Sequence, residues 1–303
     1  MGSIWAAGSP GPEGLGRTVA LKLLLEEFAR DEQYARALRD EAQLAASVRH
    51  PNLCEVIELG EAQGHPFLIL EWVDGASLSE LLAPNAAQRQ WQALPQAVAA
   101  AVVADACAGL HALHEARDAQ GAPLGAVHRD VSPHNILLSE QGHVKVADLG
   151  VAKARGQWRA RTRSGELRGK LGYLAPEQLR GETVDRRADV YALGCVLYLA
   201  VAGRLPYPAE VAAFQNVLHG DYTPPQAYAP DLSPALGAVI RRAMQLDPNQ
   251  RYESAHAMRR ALERCDVALP LASRSQTTCE CLTARLGALI RERNQRVMPA
   301  RLF

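Results

Sequence analysis

The sequence predicts an α+β chain in two lobes, a small β-rich lobe followed by a larger helical one. Three observations carry this expectation. As far as Val73, apolar segments of strand length are bounded by Gly and Pro turns. From Pro95 onward, Val98, Val102, Ala106, Leu110 and Leu113 recur at helical spacing. Asp74-Gly75 lies between the two regimes and reads as a hinge. The domain boundaries expected from this division are 1–73, 74–265 and a helical extension over 266–303.

In chain order, the first strand is expected over Ser3 to Ala6. A Gly/Pro turn (Gly8-Ser9-Pro10-Gly11-Pro12) leads to a second over Thr18 to Leu24, and Leu53 to Leu59 and Pro66 to Val73 follow. One helix interrupts them from about Asp31 to Val48. It carries Leu38, Ala42 and Ala45 on one side and ends at His50-Pro51-Asn52. Pro84 to Trp91 reads as a surface loop. At the end, Thr277 to Arg293 places Cys279, Leu282, Leu286 and Ile290 on one face, with Thr277 and Glu280 spaced as a capping box. This helix either docks on the large lobe, the preferred reading, or binds a partner.

A hydrophobic share of 48% is ample for a sizeable core. Lys+Arg and Asp+Glu balance at 33 each, so net charge recruits neither nucleic acid nor an anionic membrane. The six cysteines are scattered without the paired spacing of a disulfide framework and read as reduced thiols in a cytoplasm. Cys279-Glu280-Cys281 has no second Cys or His pair nearby to complete a metal site. The N-terminus shows no signal peptide, and Val190 to Ala202, the most apolar stretch, is too short to span a bilayer.

Chemistry concentrates in Val127-His128-Arg129-Asp130-Val131-Ser132-Pro133-His134-Asn135-Ile136-Leu137-Leu138, followed by Val144-Lys145-Val146-Ala147-Asp148-Leu149-Gly150. These segments resemble the catalytic loop and metal-binding motif of protein kinases, and specifically of bacterial eukaryotic-like serine/threonine kinases of myxobacterial type. The resemblance runs from the first residue to about Cys265 and implies the two-lobed protein kinase fold. It implies ATP and Mg²⁺ as cofactors and protein substrates as partners. Asp130 would orient the substrate hydroxyl, and Asn135 and Asp148 would hold Mg²⁺ through oxygen ligands. Lys22, in Val19-Ala20-Leu21-Lys22, would contact the α- and β-phosphates with Glu41 as its partner.

By the same resemblance, Leu70 would stand at the back of the nucleotide pocket, and backbone groups of Glu71 and Val73 would bind adenine. Ile4, Ala20 and Leu137 would sandwich the ring, core packing being the alternative for each, and Ser77 joins the nucleotide-binding set. Gly172-Tyr173-Leu174-Ala175-Pro176-Glu177-Gln178 resembles the end of an activation segment, with Glu177 paired to Arg251. Asp189 would begin the helix that anchors the catalytic loop. His111 and His114 lack a third ligand and read as packing residues.

Three departures stand out. Of the Gly-x-Gly-x-x-Gly-x-Val loop, only Gly2 and Ile4 match the last Gly and the Val. Either the chain's start lies downstream of the true one, the favoured reading, or the first strand is lacking and nucleotide binds weakly. Ser132 stands where serine/threonine kinases normally carry a lysine, and Lys170 where they usually carry a threonine, an exchanged pair that kinases of myxobacterial type often show. Lys170 is therefore expected beside Asp130 as the missing positive charge. Leu149 replaces the usual Phe. Arg129 before Asp130 implies an activation segment ordered by phosphorylation, with Thr162 and Ser164 as candidate autophosphorylation sites. The rival to an active kinase is a scaffold that keeps the fold without turnover; a kinase for small molecules is the weaker third.

Overall fold

A computed structural model of the chain describes residues 2–9, 17–24, 32–62, 64–84, 91–149, 171–207 and 213–296. The small lobe contains β1 (Gly2–Ser9), β2 (Arg17–Leu24), helix α1 (Glu32–Ala46), β3 (Val56–Ala62) and β4 (His65–Glu71). These strands form one antiparallel sheet in the order β1-β2-β4-β3. Helix α1 lies against the sheet because Leu38 and Ala42, four residues apart, reach Leu68. Leu68 is fully buried, with Lys22 opposite it on β2.

The strand expected from Leu53 begins at Val56. Leu53 instead forms a parallel bridge to Val146 in the other lobe, and the Cys54 N–H donates to the Val146 carbonyl at 2.9 Å. Segment 52–54 therefore belongs to both lobes. The Asn52 side chain strengthens this by donating to the Val144 carbonyl at 2.8 Å.

The large lobe begins with β5 (Gly75–Ser77), α2 (Leu78–Leu82) and α3 (Gln96–His114). A short 3₁₀ turn at Pro133–Asn135 leads into β6 (Ile136–Ser139) and β7 (Val144–Val146), and β5, β6 and β7 form a second antiparallel sheet. The remaining described helices are α4 (Pro176–Arg180), α5 (Arg187–Ala202), α6 (Ala213–His219), α7 (Pro234–Ala243), α8 (Ala255–Glu263) and α9 (Leu271–Arg296). Helix α5 is apolar nearly all round and is buried through most of its length, as a central helix must be. At Gly194 it passes so close to α7 that an added Cβ would lie 2.8 Å from the Cβ of Ala243. Helix α3 is long and apolar enough to cross a membrane by length and composition, and it exceeds Val190 to Ala202 in that respect. It is mostly buried inside the large lobe.

The final helix departs from its expected bounds. It starts at Leu271, and Thr277 is no cap because its hydroxyl donates back to the Ser273 carbonyl at 3.0 Å, inside the helix. The packed face carries Arg274, Thr278, Leu282 and Ile290, while Cys279 is only partly buried. Leu282 and Ile290 join the large-lobe core. Arg274, 4% exposed, bridges Asp105 of α3 at 3.1 Å and Glu263 of α8 at 3.2 Å. Arg285 donates to the Ala93 carbonyl at 2.6 Å.

Candidate active site

Strand β2 alternates its faces, so Ala20 and Lys22 point the same way, with Leu70 and Leu68 as their partners on β4. On α1, Glu41 falls between Leu38 and Ala42 on the face held against the sheet, and it is 5% exposed. The Lys22 ammonium donates to both Glu41 carboxylate oxygens, at 2.8 and 2.9 Å, and to Asp148 Oδ1. Burial alone would lower the Lys22 pKa, but the Asp148 and Glu41 carboxylates outweigh it and hold the ammonium above its ordinary value. Lys22 is thus a fixed positive charge, with Asp148 joining the two lobes through it.

Asp148 follows β7 with φ +63°, and Arg129 shares that value. Among the described residues these are the only non-glycines in the left-handed region. Such strain persists only where surrounding bonds hold it. Around Arg129 those bonds come from Asp189, in the first turn of α5 and fully buried. Asp189 Oδ2 accepts from the His128 N–H and Oδ1 from the Arg129 N–H, both at 2.8 Å, and His114 Nε2 donates to Oδ2 at 2.8 Å. Burial pulls the Asp189 carboxyl up, yet the bond from His114 and the neighbouring charges and backbone donor hold it below the usual carboxylate range. The Arg129 carbonyl in turn accepts from Gln178 Nε2 at 3.1 Å.

The loop then closes on itself. The His128 imidazole donates from Nε2 to the Ala147 carbonyl at 3.1 Å, leaving Nδ1 to accept from the Asp130 N–H at 3.3 Å. Asn135 Nδ2 donates to the Asp130 carbonyl at 2.8 Å and to Asp130 Oδ2 at 3.1 Å. The Ala147 N–H donates to the Asn135 carbonyl at 2.9 Å, tying the loop to the segment that carries Asp148. Asp130 and Asn135 are nearly buried, at 6% and 8% exposure, while 36% of the Asp148 side chain is open. The Asn135 amide nitrogen is spent on Asp130, which leaves its oxygen available; that oxygen and the Asp148 carboxylate are hard-oxygen donors of the kind that suits Mg²⁺.

The other expected residues are placed as follows. Ala20 is buried opposite Leu70, and Leu137 is partly buried on β6. Glu71 ends β4, and Val73 follows in the link to β5. The Glu71 carbonyl accepts from the Cys54 thiol at 3.5 Å; burial, aided by the Glu71 carboxylate, pushes that thiol up to about 12 and keeps its proton on. Ile4 sits opposite Lys22 and is 62% exposed, and Gly2 begins β1 opposite Leu24. Ser77 caps α2: its hydroxyl donates to Glu80 Oε2 at 2.9 Å and accepts from the Glu80 N–H at 3.2 Å, so that hydroxyl is already engaged. Ser132 is 1% exposed, and its hydroxyl has no partner among the described residues. Lys170, Thr162 and Ser164 lie outside the described residues.

Glu177 and Arg251 form a buried bidentate pair, at 2.7 and 2.8 Å. Two residues escaped sequence reasoning. His114 is more than a packing residue, since it bonds to the carboxylate that suspends the catalytic loop. Gln178 carried no signal beyond its place after Ala175-Pro176-Glu177.

A sheet lobe set over a helical lobe, with a lysine–glutamate pair above and a loop aspartate, asparagine and second aspartate below, is the construction of a two-lobed phosphotransferase. Residues 13–262 match the protein kinase domain family, and the chain belongs to that family. It is 40% identical over 265 residues to the tyrosine-protein kinase MasK of Myxococcus xanthus, covering 87% of this chain and 41% of that protein. It is 38% identical over 261 residues to the serine/threonine-protein kinase PknB of Mycolicibacterium smegmatis, covering 82% of this chain and 39% of that protein. The chain thus spans about two fifths of the length of the curated relatives it matches. Among solved structures, the PknI kinase domain of Mycobacterium tuberculosis superposes with a TM-score of 0.63 at 28% identity, covering 87% of this chain and 90% of that one.

Proposed function

We propose that this chain transfers the γ-phosphate of ATP to serine or threonine hydroxyls of proteins. The observation that carries the reading is the Lys22 ammonium held between Glu41 and Asp148, with Asp130 and Asn135 bonded together across the cleft. Lys22 holds the α- and β-phosphates. The Glu71 carbonyl and Val73 N–H receive adenine, between Ala20 and Ile4 above and Leu137 below, with Leu70 behind. Asp130, oriented by Asn135, accepts and aligns the acceptor hydroxyl, a role worth about 10²- to 10⁴-fold in rate. Asn135 and Asp148 would hold Mg²⁺, which would supply neutralising charge to the phosphates.

Ser132 supplies no positive charge, and Lys170 fills that role from the activation segment. The Ser132 hydroxyl, buried and without a partner among the described residues, supports a neighbour arriving there from elsewhere in the chain. Arg129 receives a phosphate on Thr162 or Ser164. A location in the cytoplasm fits the requirement for ATP and the six free thiols.

The test is transfer from Mg-ATP to a generic protein substrate, followed by phosphoamino-acid analysis. Asp130→Asn and Lys170→Met are each expected to lower kcat by about 10²-fold or more. Undiminished transfer by Asp130→Asn overturns the mechanism, undiminished transfer by Lys170→Met overturns the exchange of charge, and label on tyrosine alone overturns the choice of acceptor.

A further inference from the structure

The two ends of the nucleotide groove are carried by different lobes. The adenine end is the hinge at Leu70 to Val73, and the phosphate end is reached through β7, whose next residues are Ala147 and Asp148. Among the described residues, a side-chain ion pair links the hinge to β7. Lys145, in the middle of β7, lies 2.9 Å from Glu71 Oε1, with 18% and 30% of the two side chains exposed. The second oxygen, Glu71 Oε2, accepts from the Glu55 N–H at 3.2 Å, while the Glu71 N–H donates to the Glu55 carbonyl at 2.9 Å. Glu71 is therefore fixed through both backbone and side chain. Lys145 is fixed as well, because it pairs with Leu137 on β6 and so shares a face with the residue assigned to the floor of the adenine site. The strand on which Lys145 sits is also bound to segment 52–54, through Asn52 and Cys54.

We propose that the Glu71–Lys145 pair is a brace across the hinge that sets the spacing between the adenine and phosphate ends of the groove, which makes Lys145 a positioning residue for nucleotide binding. The proposal rests on the kinase reading above. Neither side chain touches the reacting atoms, and Glu71 contacts adenine only through its backbone. Removing the brace therefore weakens nucleotide binding more than it slows transfer. The pair is partly open to water, so the effect is moderate and salt-sensitive.

The experiment compares wild type, Lys145→Met, Glu71→Gln and the charge-reversed double variant Glu71→Lys/Lys145→Glu. Calorimetric affinity for a Mg-bound, non-hydrolysable ATP analogue is measured alongside steady-state transfer and Tm. Each single variant is expected to raise the Kd for the analogue and the KM for ATP roughly three- to tenfold, with kcat within about twofold. The double variant recovers most of the affinity, and added salt erodes the difference between wild type and single variants. If wild type binds nucleotide while the single variants bind equally well, or if charge reversal recovers nothing, the brace is overturned and the kinase reading stands. Wild type that neither binds the analogue nor transfers phosphate overturns both. Should a single variant unfold, the charge-reversed protein decides: folded with near wild-type affinity supports the brace, folded with affinity as weak as the other single variant refutes it.

Discussion

Asp189→Asn tests how the catalytic loop is held. The two carboxylate oxygens serve different donors, Oδ1 the Arg129 N–H and Oδ2 both the His128 N–H and His114 Nε2. Asparagine keeps the shape but supplies one oxygen. Whichever way its amide is turned, at least one backbone N–H faces an amide donor in a site with no solvent access. An orphaned buried donor costs about 1–3 kcal/mol, and each surviving bond loses its charge assistance, about 1 kcal/mol more. The sum, about 3–5 kcal/mol, is a large part of a typical domain's stability. For a domain of this size that lowers Tm by roughly 6–20 °C, and the urea midpoint falls with the slope unchanged.

The loop responds too, since Arg129 keeps its left-handed φ of +63° only while its N–H is anchored. Its relaxation misplaces Asp130 and is expected to lower kcat about 10²-fold. Acid distinguishes the charge from the shape. The folded-state pKa of Asp189 is depressed, so its contribution is fully present above the unfolded value near ~4 and is lost as pH falls through the folded value. The stability gap between wild type and Asp189→Asn therefore narrows as pH drops below about 4. A variant within about 0.5 kcal/mol of wild type at neutral pH, with normal kcat, refutes the argument.

Two further outcomes follow from buried contacts. Glu177→Gln leaves the Arg251 guanidinium buried without its charge partner and is expected to cost about 3–5 kcal/mol in urea unfolding, whereas replacing both residues by Met recovers part of that loss. Gly142→Ala puts a methyl 1.8 Å from the Ser275 carbonyl oxygen at a φ of +79°, so α9 must lift from the β6–β7 turn. We expect a loss of about 1–3 kcal/mol and faster amide hydrogen exchange along α9, in both respects unlike a surface substitution.

What the sequence discloses and what it hides follow from distance along the chain. Lys22, Asp130, Asn135 and Asp148 are legible because each sits in a short run that resembles a protein kinase motif. Glu41 is legible over its competitors Asp40 and Glu26 through the resemblance, which puts the partner glutamate ten residues before Pro51, and α1 then carries it on the buried side with Leu38 and Ala42. The partners of Asp189 and Glu71 are not legible. His114 lies 75 residues from Asp189, and Lys145 stands in an apolar strand where a lysine reads as solvent-facing. Element ends failed for the same reason. Leu53 and Cys54 carry strand-like side chains, but the strand they pair with is Val146, across the hinge. Thr277 has the spacing of a cap, yet a helix already under way from Leu271 turns its hydroxyl inward to a carbonyl.

These long-range bonds divide the site into two suspensions. The catalytic loop hangs from α5 through Asp189 and from the end of the activation segment through Gln178. The strand leading to Asp148 hangs instead from segment 52–55 and the hinge, through Asn52, Cys54 and the Glu71–Lys145 pair. They meet where Ala147 bonds to the Asn135 carbonyl and His128 to the Ala147 carbonyl, and Lys22 then links Asp148 to Glu41. On the proposed kinase reading, a perturbation of the first suspension is expected to move Asp130 against the acceptor and lower kcat, and one of the second to move the nucleotide and raise KM. Only changes at the junction, such as His128→Ala, strike both at once. Measured together, the three classes of variant separate loss of the loop from loss of the groove, which a single activity measurement would merge.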